Sequence, residues 1–317
     1  METMCYYIHA LTALHAGTGQ GVGVIDLPIA REKSTGLPIV PGSGIKGVLR
    51  EELNPSNAGA DDLQPCEDSD GNTKETEQCW EALFGPTAQD AEKGGFAGAL
   101  NIQDAQLLCL PVRSVYGVFA WVTCPFILER YRRDSKQIVG TSPDWGMPCL
   151  EDGEKAWVTD DSKIDEKEKV FLEDLDFDVL KNNGNVNTLA DKIAATIFPK
   201  DDTWQRFFKE RFMIISDNVF SFLAETATEV RARIKLKEGT RTVEKGALWY
   251  EENLPAETLL WGMIGCDRSR SENHTGTAKD LMKHFQEQIG AEKGLQIGGN
   301  ATVGRGRVRW IPGEERG

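Results

Sequence analysis

Residues 15–50 read HAGTGQGVGVIDLPIAREKSTGLPIVPGSGIKGVLR, and this stretch holds the first candidate site and the first predicted elements. It begins with glycines at positions 17, 19, 21 and 23, which let a ligand backbone approach the chain closely. Asp26 follows between apolar neighbours, where a carboxylate costs solvation energy unless a cation, a donor or a proton compensates it. From the residues alone, a satisfied structural acid is favoured over a working one.

The second half of the stretch predicts a short strand and then a helix. Prolines bound the strand LPIV, and Ser43 is placed as the N-cap of a helix through SGIKGVLREEL. Lys46 and Arg50 lie four residues apart, so they share one side of this helix near its start. Because the amides and dipole of a helix N-terminus suit a phosphate of any origin, Ser43, Lys46 and Arg50 are candidate anion contacts.

A nucleotide cofactor is the alternative interpretation of the same helix start. Gly42, Gly44 and Gly47 match GxGxxG between a short strand and a helix. A dinucleotide-binding unit also needs a second strand ending in an acid about 20 residues further on. That interval is instead a polar loop around Asp61 and Asp62, and no GxxxxGK[ST] sequence occurs. The nucleotide-binding fold is therefore disfavoured.

Along the rest of the chain, strand-like and helix-like segments are interspersed. CYYIHALTALHA, ALNIQDAQLLCLPV and VYGVFAWVTCPF have the apolar content of strands, whereas ILERYRRDSKQI, DTWQRFFKERF and TAKDLMKHFQEQIG have helical patterns. The regular strand and helix alternation of a parallel sheet is missing, so an α+β protein with an antiparallel core is expected.

Composition limits the cellular setting. A chain of 317 residues with 40% hydrophobic content can form one elaborated domain or two modest ones. No apolar run approaches the roughly 20 residues needed to cross a bilayer, and METMCYYIHA lacks the pattern of a signal peptide. We therefore expect a cytoplasmic protein with no membrane partner. Seven cysteines without a CxxC pair favour reduced thiols over a disulfide framework or a zinc site, and Cys66 and Cys79 are interpreted as ordinary thiols.

The acidic charge is concentrated in two stretches. The whole chain carries a net charge of −14, of which residues 51–92 contribute −11 and residues 151–178 contribute −8. The remainder therefore carries +5. Both stretches lack obvious core periodicity and are interpreted as surface insertions, near 51–92 and 140–205, on a mildly basic core. Solvated faces that serve only solubility explain these acids equally well.

Two strands are expected to present positive faces. In VRARIKLK, four cations alternate with four apolar residues, and EGT turns the chain toward RTVEKGALWY, so a hairpin is predicted near residues 225–255. The cations of this hairpin and its tip are Arg231, Arg233, Lys235, Lys237 and Arg241. In the closing strand, Arg305, Arg307 and Arg309 share a face. A solvated face needs no ligand, but two such faces in an acidic chain favour RNA or DNA as a partner.

Four blocks of the chain resemble a known family. HAGTGQ, GVIDLPIAREKSTGLPIVPGSGIKGVLR, KGALWYEENLP and QIGGNATVGRGRVRW are similar to the backbone RAMP subunits of the Cmr complex, the type III-B CRISPR effector. The resemblance implies a single RAMP domain over residues 1–317, with a ferredoxin-like, RRM-type antiparallel core, insertions and a projecting β-hairpin called the thumb. It also implies copies stacked head to tail along a crRNA guide, together with other Cmr subunits.

The resemblance reverses the interpretation of Asp26. This residue occupies the position of the family's catalytic aspartate in the loop after the first strand, and His15 and Lys46 match positions tied to RNA handling. The implied activity is endoribonucleolytic cleavage of target RNA at regular intervals, by attack of the 2′-hydroxyl of a displaced nucleotide on its own phosphate. Asp26 would hold a divalent ion, Mg²⁺ or Mn²⁺, or accept the hydroxyl proton. The alternative is a non-catalytic, structural RNA-binding protomer.

Overall fold

The computed structural model describes residues 1–19, 21, 24–57, 65–67, 73–87, 95–139, 146, 148, 150, 153–237, 239–240 and 242–315. Within these ranges the α-helices are Gly42–Glu52 (α1), Thr76–Phe84 (α2), Pro125–Val139 (α3), Gly184–Ile197 (α4), Asp202–Lys209 (α5), Asp217–Thr226 (α6) and Ala278–Ile289 (α7). None of these helices is long and apolar enough to span a bilayer.

The strands in the same ranges are Glu2–Ala10 (β1), Ile39–Val40 (β2), Cys66–Glu67 (β3), Thr73–Lys74 (β4), Leu100–Ile102 (β5), Ala105–Arg113 (β6), Phe119–Thr123 (β7), Lys155–Val158 (β8), Asp165–Glu166 (β9), Lys169–Leu172 (β10), Leu175–Leu180 (β11), Phe212–Ile214 (β12), Glu229–Leu236 (β13), Val243–Asn253 (β14), Leu259–Cys266 (β15), Lys293–Gln296 (β16) and Arg307–Glu315 (β17).

One sheet organises most of these strands, in the order β16-β17-β1-β15-β6-β7-β12-β8-β11-β10-β9, with β2 on β6 and β5 on β15. Its pairs are antiparallel except β7 with β12 and β8 with β11. The expected antiparallel α+β core is confirmed. Nearly every residue of β1 is buried because helices cover the sheet here, and Tyr6 stacks on Trp310 with ring centroids 4.4 Å apart.

The first helix differs from its prediction at its start. α1 begins at Gly42 with Pro41 as its N-cap, and no side chain caps it, so the assignment of Ser43 as N-cap was wrong. The Gly42 N–H instead donates to Asp104 Oδ1 at 2.8 Å, which satisfies one of the free amides of the first turn. The predicted helices in ILERYRRDSKQI, DTWQRFFKERF and TAKDLMKHFQEQIG are confirmed as α3, α5 and α7.

The second acidic stretch is not a featureless surface loop. It forms β8 to β11, which extend the main sheet, and Ile164, Val170 and Phe177 within it are buried. These strands are two to six residues long, too short for their alternation to stand out among so many acids. The first acidic stretch carries β3, β4 and α2, and its residues 58–64, 68–72 and 88–92 lie outside the described ranges.

The expectation of seven reduced thiols was also wrong. Cys66 in β3 and Cys79 in α2 form a disulfide, with Cα atoms 6.2 Å apart. The short hairpin β3–β4 reverses the chain between them, so a separation of 13 residues in sequence becomes a contact in space. The free cysteines within the described ranges, Cys5, Cys109, Cys124 and Cys266, are buried.

β13 and β14 form the predicted hairpin, a separate two-stranded sheet. The peptide N–H of Lys237 donates to the Thr242 carbonyl across its tip at 2.8 Å. A register shift between Ile234 and Leu236 marks a bulge opposite, where Gly246 adopts a φ of 79° that favours glycine.

Candidate active site

Asp26 lies on the connection between β1 and β2, which runs alongside the base of the hairpin. Leu27 forms a parallel bridge with Glu251, and its N–H donates to the Tyr250 carbonyl at 3.0 Å. The Tyr250 N–H in turn donates to Asp26 Oδ2 at 2.8 Å. Asp26 is exposed and its neighbour Val24 is 93% exposed, so the carboxylate is not desolvated as the apolar sequence around it suggested. It is an oriented acid that faces solvent.

A cavity of about 450 Å³ opens beside this carboxylate. It is lined by Gly21, Asp26, Leu27, Gly246, Leu248 and Trp249. Its volume falls within the range of small-molecule sites, and the glycines on both walls leave it uncrowded. Asp26 is the acid in this lining, so a group that enters the cavity from solvent meets one fixed carboxylate.

Two consecutive buried glutamates hold the site together, and sequence reasoning missed both. Glu252 accepts hydrogen bonds from Arg31 Nη2 at 2.6 Å, from the Ile29 N–H at 3.1 Å and from Thr228 Oγ1 at 2.9 Å. It therefore fixes the loop that carries Asp26 to the hairpin base. The available signal was the pair of acids that ends the apolar run ALWYEEN.

The other acid, Glu251, is 2% exposed, and it contacts both strands of the hairpin and a loop near the C-terminus. Its carboxylate accepts hydrogen bonds from Trp249 Nε1 at 2.8 Å, Asn300 Nδ2 at 3.1 Å and Arg233 Nη1 at 3.3 Å. Asn300 belongs to the glycine-rich loop near the C-terminus, QIGGNATVGRG. The hairpin and this loop thus meet at the buried Glu251 carboxylate, one residue after Tyr250, whose N–H orients Asp26.

His15 is part of the same network but faces inward. Its side chain is buried, and its Nδ1 lies 2.6 Å from the Glu252 carbonyl oxygen, which makes Nδ1–H the donor. Its own carbonyl accepts the Gly299 N–H at 2.9 Å. A Cβ on Gly17 would come within 2.5 Å of the ring, so glycine is needed there. In this geometry His15 joins the glycine-rich segment after β1 to the glycine-rich loop near the C-terminus. Its expected role in RNA binding stays a prediction.

The candidate residues of α1 do not join the Asp26 cavity in the described contacts. Lys46 Nζ donates to the Leu100 carbonyl at 2.7 Å, and burial, followed by the nearby Arg50, lowers the pKa of Lys46. Arg50 donates to the carbonyls of Phe84 and Pro86 and lies 4.4 Å over the Trp80 ring. Both cations join α1 to the protein itself, whereas Ser43 is exposed. Their contacts with RNA stay predictions.

The cations of β13 are paired with hairpin acids. Arg231 pairs with Glu229 in the same strand, Arg233 with Glu251, and Lys235 with Glu244. Lys237 is exposed at the tip, and Arg241 lies outside the described residues. The positive face is therefore weaker than the sequence alone indicated.

The opposite face of the hairpin is apolar, and no described residue covers it. Val230, Ile234, Leu236, Val243, Leu248 and Tyr250 are each 41–54% exposed. Large apolar side chains on a two-stranded sheet that the described residues leave without a packing layer are unusual for a monomer and are typical of an interaction surface. We call this surface the apolar hairpin face.

The closing strand does not place three arginines on one face as expected. Arg305 precedes β17 and is 6% exposed, and its pKa is lowered by burial and then by the nearby Arg231. Arg309 forms an ion pair with Glu292 at 2.7 Å, and only Arg307 is exposed. The prediction that the three arginines share a face was wrong, because the strand begins at Arg307, two residues later than the arginine pattern suggested.

Comparison with known proteins agrees with this architecture. The family model of the RAMP superfamily matches residues 7–309. The CRISPR system Cmr endoribonuclease Cmr4 of Pyrococcus furiosus is 33% identical over 309 residues, which cover 98% of this chain and 95% of that protein. A crystal structure of oligomeric Cmr4 from the same organism superposes with a TM-score of 0.70 at 27% identity, over all of both chains.

A more distant match shows the fold alone. A chain in the cryo-EM structure of the type III-B Cmr-beta complex bound to cognate target RNA has a TM-score of 0.69 at 18% identity, with 98% of this chain and 96% of that chain covered. The long family match and the identity to the Pyrococcus protein carry the assignment. The chain belongs to the RAMP superfamily and, within it, to the Cmr4 family.

Proposed function

We propose that this chain is a guide-RNA-binding backbone subunit of a type III-B CRISPR effector complex, and that it cleaves the complementary target RNA at regular intervals. Its membership of the Cmr4 family, whose Pyrococcus member is named an endoribonuclease, supports this function. The single observation that carries the catalytic part is the exposed Asp26 carboxylate, held at a cavity by the peptide N–H of Tyr250.

The chemistry asks little of the protein. A nucleotide displaced from the guide–target duplex can bring its 2′-hydroxyl into line with the adjacent phosphorus, so the RNA supplies the nucleophile. Asp26 Oδ1, which makes no hydrogen bond to the described residues, would accept the hydroxyl proton. As the 2′-oxygen bonds to phosphorus, the bond from phosphorus to the 5′-oxygen of the next nucleotide breaks, and that oxygen leaves with a proton from water. Oδ2 stays bound to the Tyr250 N–H, so the accepting oxygen keeps a fixed direction. The glycines at the cavity allow the sugar and phosphate to approach the backbone.

The apolar hairpin face supports a role for this hairpin as the thumb, which would insert between nucleotides and displace one of them. Stacking of bases on apolar and aromatic side chains supplies affinity without sequence preference. Leu248 at 54% exposure lines the same cavity as Asp26, so a base displaced by the hairpin would leave its ribose near the carboxylate. The exposed cations Lys237 and Arg307 would neutralise backbone phosphates.

A divalent cofactor, Mg²⁺ or Mn²⁺, stays part of the proposal in a limited form. Within the described residues, Asp26 belongs to no group of three or more carboxylate, histidine or cysteine ligands. Water and RNA phosphates would have to supply the other ligands. A divalent ion bound there would neutralise charge that develops on the phosphate. Chelation with EDTA would then stop cleavage, and added Mn²⁺ would restore it.

The partners we propose are the crRNA guide, the target RNA, further copies of this chain in a head-to-tail filament and the other Cmr subunits. The P. furiosus Cmr4 structure is described as oligomeric, and the Cmr-beta structure as bound to target RNA. A heterologous contact between copies propagates until a different subunit or the end of the RNA stops it. The cytoplasm is the compartment we propose.

The test is a cleavage assay on the assembled complex with end-labelled target RNA. Asp26→Asn keeps an oxygen that can accept the Tyr250 N–H, so the loop should keep its place while the proton acceptor is lost. We expect cleavage to fall by about 100-fold or more, with guide and target binding changed less than about twofold. Asp161→Asn, at an exposed aspartate in the turn before β9, is the matched control.

The competing function is a structural RNA-binding protomer without cleavage. Undiminished cutting by the complex with Asp26→Asn would favour it and remove the catalytic proposal. Loss of RNA binding by the same variant would instead assign Asp26 to the RNA interface.

A further inference from the structure

Away from the Asp26 cavity, three buried side chains with metal-binding atoms meet between the first insertion and the segment before α7. They are Cys66 in β3, Cys79 in α2 and His274. The two sulfurs and a ring nitrogen all lie within 4.8 Å of one another, and His274 Nε2 is 3.1 Å from Cys66 Sγ. The described residues contain no other group of three or more such ligands.

We propose that the reduced form of this cluster binds a zinc ion through Cys66, Cys79 and His274. Two thiolates and an imidazole are a ligand set that suits zinc, and the fourth tetrahedral position is left to water. The Cys66 N–H lies 3.3 Å from Cys79 Sγ, in position to donate a hydrogen bond to that sulfur. Such second-shell donors orient thiolate ligands and offset part of their charge.

The disulfide is the oxidised, metal-free state of the same cysteines. A dithiol reductant would supply two electrons and two protons to break the S–S bond, giving two thiols. Zinc binding would then displace both thiol protons to solvent. Because a cytoplasmic compartment keeps thiols reduced, the reduced state is the relevant one under the proposed function.

The histidine must also change its proton position. In the disulfide form His274 Nδ1 accepts the Gly276 N–H at 2.9 Å, so the ring proton sits on Nε2 and points at Cys66. Zinc at Nε2 requires this proton on Nδ1, and the Gly276 peptide must then turn away. Residues 267–277 contain no helix or strand, and a Cβ on Gly276 would lie 2.4 Å from the ring, so glycine is what lets this segment lie so close.

The ion would join two segments that are distant in sequence. β3 and α2 belong to the first acidic insertion, whereas His274 lies three residues before Thr277, which caps α7. A zinc ion would therefore anchor the insertion to the helix that packs on the main sheet. This role is independent of Asp26 and of RNA.

The experiment uses the full chain, reduced with a phosphine under anaerobic conditions, loaded with ZnCl₂ and passed through a desalting column. Elemental analysis should find about one zinc per chain. Replacement by Co²⁺ should give the sulfur-to-cobalt charge-transfer absorption and the visible bands of a tetrahedral site. Cys79→Ser and His274→Gln should each weaken zinc binding by at least about tenfold, whereas Cys124→Ala, which changes a buried core thiol, should not.

Zinc content near zero in the reduced wild-type chain would overturn the proposal. So would a cobalt spectrum without sulfur ligation, which needs no variant and stays decisive if Cys79→Ser fails to fold. Equal zinc affinity in wild type and His274→Gln would remove the histidine from the site and with it the proposed ligand set.

Discussion

Glu252→Gln tests whether a buried acid positions the loop that carries Asp26. The Glu252 side chain is 4% exposed and its partner Arg31 is 24% exposed, with 2.6 Å between their nearest atoms. Removing one charge of a buried pair costs about 3–5 kcal/mol, and the partial exposure of Arg31 reduces that cost through solvent screening. Glutamine also brings an NH₂ group to a place where Ile29 N–H, Thr228 Oγ1 and Arg31 all donate.

We therefore expect the free energy of unfolding to fall by about 3 kcal/mol, and the melting temperature of this 317-residue chain by roughly 4–5 °C. Denaturant and thermal unfolding of the isolated chain measure these changes. Glu225→Gln in α6 is the matched control, because the same replacement at an exposed glutamate should change stability by less than about 0.5 kcal/mol.

A double-mutant cycle with Arg31→Met isolates the pair, and a coupling energy of about 2 kcal/mol is expected. A destabilisation no larger than that of the control, or a coupling energy near zero, would refute the assignment. In the assembled complex, Glu252→Gln should also slow target cleavage, since the Asp26 loop loses its anchor while every residue of the cavity remains.

Three further predictions follow from separate contacts. Burial lowers the pKa of His284 to about 4, so below pH 6.5 the unfolded chain binds more protons than the folded chain, and the free energy of unfolding falls as the pH drops. From pH 6.5 to pH 5 it falls by about 2 kcal/mol. His284→Gln should remove this pH dependence, which melting curves recorded across that range would measure. Lys237→Ala should lower the slope of log K for single-stranded RNA against log salt by about 0.7, whereas Lys200→Ala, on the α4–α5 connection, should not change it. The double variant Ile234→Ser, Leu248→Ser should shift the melting temperature little, since both side chains are about half exposed, yet it should reduce target cleavage; unchanged cleavage would remove the apolar hairpin face from the RNA interface.

The sequence predicted the antiparallel core and the hairpin, because both depend on local patterns. Alternation over VRARIKLK settles the hairpin, and the order of apolar segments settles the class of sheet. The family resemblance, rather than the residues themselves, identified Asp26 as the catalytic candidate. Its apolar neighbours suggested burial, and the structure exposes it.

What the sequence could not give are contacts between distant segments. The roles of Glu251 and Glu252 depend on the loop of Asp26 and on the glycine-rich loop, both of which lie far from them in sequence. The Cys66–Cys79 contact depends on a hairpin of two-residue strands, which leaves no periodic signal. Lys46 has the spacing of an anion contact, and only the fold shows that its ammonium group reaches the Leu100 carbonyl.

The donor that orients Asp26 is a main-chain amide, and this has an evolutionary consequence. Any amino acid at position 250 except proline carries that N–H, so the hairpin can exchange its side chains to suit new RNA contacts without disturbing the acid. Side chains of this strand can therefore change their RNA contacts while its backbone continues to orient Asp26. Proline at this position is the replacement that would break the link.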